Sequence, residues 1–179
     1  YKHNEDLFKK VTIIPDGKNH GLIFLLDWSG SMGNVIEDTL KQLYNLIWFC
    51  KKVGIPFGVY SFTYEFNIPQ CDQHGNELSM IGHYEKKQGL FFVDDRFSLM
   101  ELFNSNTSIK QLDHQMKNIW RVVKGSVSWV KYSVPPRMSL SGTPLNETLI
   151  TLHQLIPTLQ KKWKIQKLQC VILTDGESN

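Results

Sequence analysis

The sequence predicts an α/β fold, a mostly parallel sheet flanked by helices, and three segments predict it. Gly21-Leu22-Ile23-Phe24-Leu25-Leu26 is a continuous apolar run rich in branched residues, as expected of a strand buried on both faces. Val35, Ile36, Leu40, Leu43, Ile47 and Cys50 then recur at three- and four-residue intervals, which describes an amphipathic helix ending near Gly54. Phe57-Gly58-Val59-Tyr60-Ser61-Phe62-Thr63 reads as a second strand. Strand-helix-strand order implies a right-handed crossover and parallel pairing.

The remaining elements follow in order. Val11-Thr12-Ile13-Ile14 reads as a strand, and the turn Pro15-Asp16-Gly17 would fold it onto the next strand as a hairpin at the sheet edge. The span 64–138 is too long for a connecting loop and is expected to be a largely helical insertion. Within it, 70–76 resembles a turn and 89–93 a short strand. Ser98 is expected to cap a short helix through Phe103. Ser108 is expected to cap a longer helix carrying Leu112, Met116, Ile119, Trp120 and Val123 on one face. Trp120 and Trp129 fit either core anchors or a partner surface. A third helix runs from Asn146 to about Ile156, started by Pro144 and kinked or ended by Pro157. A last buried strand covers Leu168 to Leu173.

Composition bounds the function classes. A chain of 179 residues supports one domain with a sizeable core. A net charge of +3 is too small to imply nucleic-acid or membrane binding. Cys50, Cys71 and Cys170 show no CxxC spacing, and Cys50 and Cys170 sit in apolar segments suited to a core. An odd count with no framework favours a reducing, cytoplasmic compartment. No run reaches the roughly 18 apolar residues of a membrane-spanning helix.

The chemistry concentrates where the first strand ends. Asp27-Trp28-Ser29-Gly30-Ser31-Met32 sets a carboxylate and two alternate hydroxyls at the end of a buried strand. Open α/β sheets bind ligands in the crevice at strand carboxyl ends. These are hard oxygen donors, suited to Mg²⁺, Mn²⁺ or Ca²⁺. Gly30, Gly142 and Gly176 would let the backbone turn tightly around them. Trp28 and Met32 are expected to flank the donors without touching an ion.

The Asp-x-Ser-x-Ser pattern strongly resembles the metal-ion-dependent adhesion site of von Willebrand factor A domains. Ser141-Gly142-Thr143-Pro144-Leu145 resembles that family's second loop, whose threonine is a ligand. Leu168 to Gly176, with Thr174-Asp175-Gly176 at its end, resembles the third, a buried strand ending in a ligand aspartate. All three occur in the family's order, although each alone could be an ordinary turn or helix cap. The resemblance implies a doubly wound, Rossmann-like fold over residues 1–179, with the carboxyl-terminal part of the domain truncated and the insertion packed beside or over the site. It implies a metal site built from Asp27, Ser29, Ser31, Thr143 and Asp175. Two carboxylates at most balance a divalent ion, so the ion keeps affinity for one more anionic oxygen. The expected activity is Mg²⁺-dependent capture of an aspartate or glutamate side chain on a partner protein.

Within the family, Asp-Trp-Ser-Gly-Ser-Met and Gly-Thr-Pro-Leu-Asn-Glu resemble the A domain of the large cobalt-chelatase subunit and its phage relatives. That implies a MoxR-type AAA+ ATPase as partner. Two alternatives stay open. One is a hydrolase in which the metal activates water, with Glu147, Glu177 or Asp38 as base. The other is a structural phage or scaffold protein that uses the metal for stability alone. The six histidines are scattered without zinc spacing, and Lys161 to Lys167 read as a solvated helix end. Asp94, Asp95 and Arg96 read as a local ion pair. There is no P-loop, GxGxxG or nucleophile elbow.

Overall fold

Four strands and three helices make up the fold in a computed structural model, which describes residues 19–65, 96–127 and 137–176, with positions 74, 88, 89, 93, 134 and 135. The strands are β1 (His20–Asp27), β2 (Phe57–Tyr64), β3 (Phe97–Asn104) and β4 (Lys167–Leu173), in the sheet order β3-β2-β1-β4. β1 pairs in parallel with both β2 and β4, whereas β3 runs antiparallel to β2. The expected α/β architecture is present, as a mixed sheet.

Helices cover both faces. On one face, Phe24, Leu26, Phe57, Val59 and Phe103 pack against α1 (Ile36–Val53) and α2 (Ile109–Val127). α1 contributes Leu40, Leu43, Ile47 and Cys50, and α2 contributes Leu112, Met116, Ile119 and Val123. On the other face, Ile23, Leu25, Tyr60 and Phe62 pack against Leu152 and Leu159 of α3 (Leu145–Trp163). Successive side chains of β1 therefore enter opposite cores, which is why its apolar run is continuous. Each such side chain contributes on the order of 1.5–3 kcal/mol on burial.

The helix ends obey their local chemistry. α1 stops at Gly54, whose φ of 76° is left-handed backbone that glycine adopts without strain, and its N–H bonds Cys50 O. Ser108 precedes α2, and its Oγ accepts the Gln111 N–H at 3.4 Å. Lys161 and Lys162 occupy the last turn of α3, where cations complement the helix dipole.

Several expectations need correction. β1, expected at the sheet edge, is central, with β2 on one side and β4 on the other. The expected strand 11–14 itself lies outside the described residues, as do most of the turn at 70–76 and most of the strand at 89–93. The helix expected from Ser98 to Phe103 is β3. Leu99, Met100, Glu101 and Leu102 are good helix formers, but β2 offers an open ladder that overrides local preference. β3 and α2 thus belong to the sheet and the main core, and the described part of the expected insertion contains one helix. α3 continues through Pro157 to Trp163 instead of ending there. His153, left without the Pro157 N–H, and Pro157 itself are both exposed, so water can serve the freed carbonyl. Cys170, expected in the core, is exposed on β4, the outermost strand on that side among the described residues, whereas Cys50 is buried as expected.

Candidate metal centre

The carboxyl ends of β1 and β4 bring distant polar residues together. Leu26 of β1 stands opposite Leu173 of β4, so the chain leaves the sheet at Asp27 on one strand and at Thr174-Asp175 beside it. Asp27 is fully buried. Its Oδ2 accepts a hydrogen bond from Thr174 Oγ1 at 2.6 Å, while its Oδ1 is buried and accepts none. The hydroxyls of Ser29 and Ser31 are 2.9 Å apart, and Ser31 Oγ donates to Asp175 Oδ1 at 2.9 Å. Ser31 opens a single 3-10 turn, Ser31–Asn34, that leads into α1.

The loop before α3 is sewn to the same place by backbone. Ser29 and Ser141 form a parallel bridge, Gly30 N–H donates to Ser141 O at 2.7 Å, and Ser141 N–H donates to Trp28 O at 3.0 Å. Thr143 follows two residues later and is buried. The structure therefore joins Asp27, Ser29, Ser31 and Asp175 through side chains and Thr174, and ties Thr143 to them through its loop.

Trp28 is the mechanical centre of this junction. It is fully buried, and its N–H donates to Phe62 O at 3.0 Å. Its indole Nε1 donates to Met138 O at 2.9 Å, and its carbonyl also accepts from Thr63 Oγ1 at 3.0 Å. Met32 is likewise buried, in the core under α1.

Among the described residues, no cation is recorded as a partner of Asp27. Burial raises the Asp27 pKa, hydrogen bonding from the Thr174 and Ser29 hydroxyls and the Ser29 backbone works against it, and the neighbouring Asp175 carboxylate adds a smaller rise. A buried carboxylate with an unpartnered oxygen, a second carboxylate nearby and a set of neutral hydroxyls form an all-oxygen donor group. That group fits a hard divalent cation, which would satisfy Asp27 Oδ1 and relieve the repulsion. Asp27, Ser29, Ser31, Thr143 and Asp175 are the residues that could hold it.

Of the three candidate bases, Asp38 is exposed and paired with Lys41 at 2.6 Å, which with that hydrogen bond holds its carboxyl below the usual range. Glu147 Oε1 accepts the Tyr64 hydroxyl at 2.9 Å. Glu177 lies outside the described residues, as do Asp94, Asp95 and Trp129.

The tight turn expected to require glycine at position 30 is not what the structure shows. Gly30 has φ −63° and ψ −34°, ordinary right-handed backbone open to any residue, and a Cβ there would lie 3.8 Å from Ser141 O. Gly142 is the crowded position, since a Cβ would come within 2.6 Å of the Tyr64 ring. A Cβ at Gly176 would meet nothing within 4 Å. Sequence reasoning passed over Thr174 and Tyr64, because their roles depend on strand pairings. The signal for Thr174 was its place one residue before Asp175, at the end of a strand.

No family model matches the chain, and neither a curated protein nor a solved structure matches it. The functional reading rests on the site.

Proposed function

We propose that the chain is a von Willebrand factor A-type module that binds Mg²⁺ through Asp27, Ser29, Ser31, Thr143 and Asp175 and captures a partner carboxylate on that ion. The observation that carries the reading is Asp27 Oδ1, buried and without a hydrogen-bond partner, beside the Ser29-Ser31-Asp175 chain. A buried charge in that condition is costly unless a cation meets it. Mg²⁺ suits it best, because that ion takes one or two protein carboxylates and keeps exchangeable waters. One of those water positions is where an aspartate or glutamate of another protein binds. Mn²⁺ would serve in its place, and Ca²⁺ less well if the site is rigid.

The resemblance to chelatase-type A domains extends the proposal to a partner, an AAA+ ATPase of the MoxR type presenting an acidic segment. A cytoplasmic setting accompanies it. Cys50 and Cys170 are free thiols, as suits a reducing compartment, and no helix among the described residues is long and apolar enough to cross a membrane.

Partner capture from host lysate, with Mg²⁺ or with EDTA, tests the function. Retention of a partner with Mg²⁺, lost both with EDTA and in Asp27→Ala, supports it. A partner retained equally under all three conditions contradicts it.

A further inference from the structure

Tyr64, the last residue of β2, lies against the threonine loop at Gly142. Its ring fills the space over Gly142, where an added Cβ would lie 2.6 Å from Cδ2 and 3.4 Å from Cε2. Its hydroxyl donates to Glu147 Oε1 at 2.9 Å, in the first turn of α3. Its ring also carries the Arg96 guanidinium 5.5 Å from the centroid, at the start of β3. One side chain thus spans the loop from the residue before Thr143 to the helix after it.

We infer that Tyr64 is a positioning residue for the metal site, a clamp that sets where Thr143 stands by packing on Gly142 and hydrogen-bonding Glu147. The inference rests on the metal-binding reading above. Its physical basis is the shortness of the segment. Thr143 is bracketed by Ser141, fixed to Trp28 and Gly30, and by α3, which begins at Leu145. A displacement of Gly142 or of the first turn of α3 is therefore transmitted to Thr143 with little slack. Glycine stands at 142 because Tyr64 leaves no room for a side chain. Glu147 acts as an acceptor that orients the phenol, so its charge is dispensable to this role while its oxygen is not.

The test is Mg²⁺ affinity by titration calorimetry on the whole chain, alongside the metal-free melting temperature of each variant. Gly142→Ala drives a methyl group into the Tyr64 ring and is expected to weaken Mg²⁺ binding roughly tenfold or more, the range typical of residues that orient metal ligands. Adding Tyr64→Leu makes room, so the double variant is expected to bind close to the Tyr64→Leu single variant, a non-additive result. Glu147→Gln keeps the acceptor and is expected to bind as the wild type does, while Glu147→Ala and Tyr64→Phe weaken binding to the same degree. Metal-free melting temperature is expected to fall in Gly142→Ala and in Tyr64→Leu, so the pattern of affinities across the variants, and not stability, reads the clamp. Wild-type affinity in Gly142→Ala, or an equal loss from Gly142→Ala in both Tyr64 backgrounds, overturns the clamp and leaves the metal site standing. If Gly142→Ala does not fold, Tyr64→Phe, Glu147→Ala and Glu147→Gln decide: affinity unchanged in all three, or lost equally in both Glu147 variants, overturns it. Absence of Mg²⁺ binding in the wild type removes both the site and the clamp.

Discussion

Ser31 Oγ donates a hydrogen bond to Asp175 Oδ1 at 2.9 Å, joining residues 144 positions apart. Parallel pairing of β1 and β4 makes this meeting possible, since both strands end at the same edge of the sheet. The same hydroxyl lies 2.9 Å from that of Ser29, so the proposed ligands Ser29, Ser31 and Asp175 already stand together.

Asp27→Asn is expected to raise the metal-free melting temperature and to abolish the stabilisation by Mg²⁺. The substitution keeps the shape and an acceptor for Thr174 while removing a buried charge. The same charge gives a pH dependence. With its pKa raised above 3.8, native Asp27 holds a proton that the unfolded chain has released, so metal-free stability falls as pH rises through that window. Metal binding needs the ionised form, so Mg²⁺ is expected to stabilise the protein more as pH rises across the window. Thermal melts over acidic pH, with and without Mg²⁺, check both signs.

Trp28→Phe removes the indole N–H from Met138 O and leaves a void in the core. A loss of about 1–3 kcal/mol is expected from denaturant melts, combining an unmade hydrogen bond with a partial cavity. Because Trp28 also holds the loop that leads to Thr143, weaker Mg²⁺ binding is expected to accompany it.

Gly30→Ala is expected to be nearly neutral in both stability and Mg²⁺ affinity. The backbone at this position is helical and a methyl group has ordinary room there. A large loss in thermal melts or in calorimetry would show that the glycine is needed for something other than its backbone conformation.

Pro157→Ala is expected to stabilise the protein by about 1–3 kcal/mol, because alanine restores a donor inside α3 and proline is the poorest helix former. Both the proline and His153 are exposed, so nothing in the packing opposes the change. Urea unfolding of the two proteins measures it.

The central part of the fold was legible because burial there is two-sided. A continuous apolar run such as Ile23 to Leu26 has few structural solutions, and the 3.6-residue spacing of α1 and α2 named their buried faces, except that Val35 precedes α1 and is exposed and Trp120 is only partly buried. The edges were less legible. β3 carries helix-forming residues and is a strand only because β2 offers it a ladder, a long-range fact absent from local spacing. Cys170 looked like a core residue because an apolar run does not say how many neighbours a strand has, and among the described residues β4 pairs with β1 alone. At the site, the residue types and their order are the source of the proposed donor set. The backbone bridge from Ser29 to Ser141 and the Tyr64 contact came from packing between segments that no motif joins.

Crystals soaked in Mn²⁺ and measured for anomalous scattering test the central claim most directly. The account predicts one strong peak bounded by Asp27, Ser29, Ser31, Thr143 and Asp175, with metal–oxygen distances, direct or through water, of a hard divalent ion, and its loss in Asp27→Ala. A protein saturated with Mn²⁺ that shows no peak there, or whose peak persists without the Asp27 carboxylate, would contradict it.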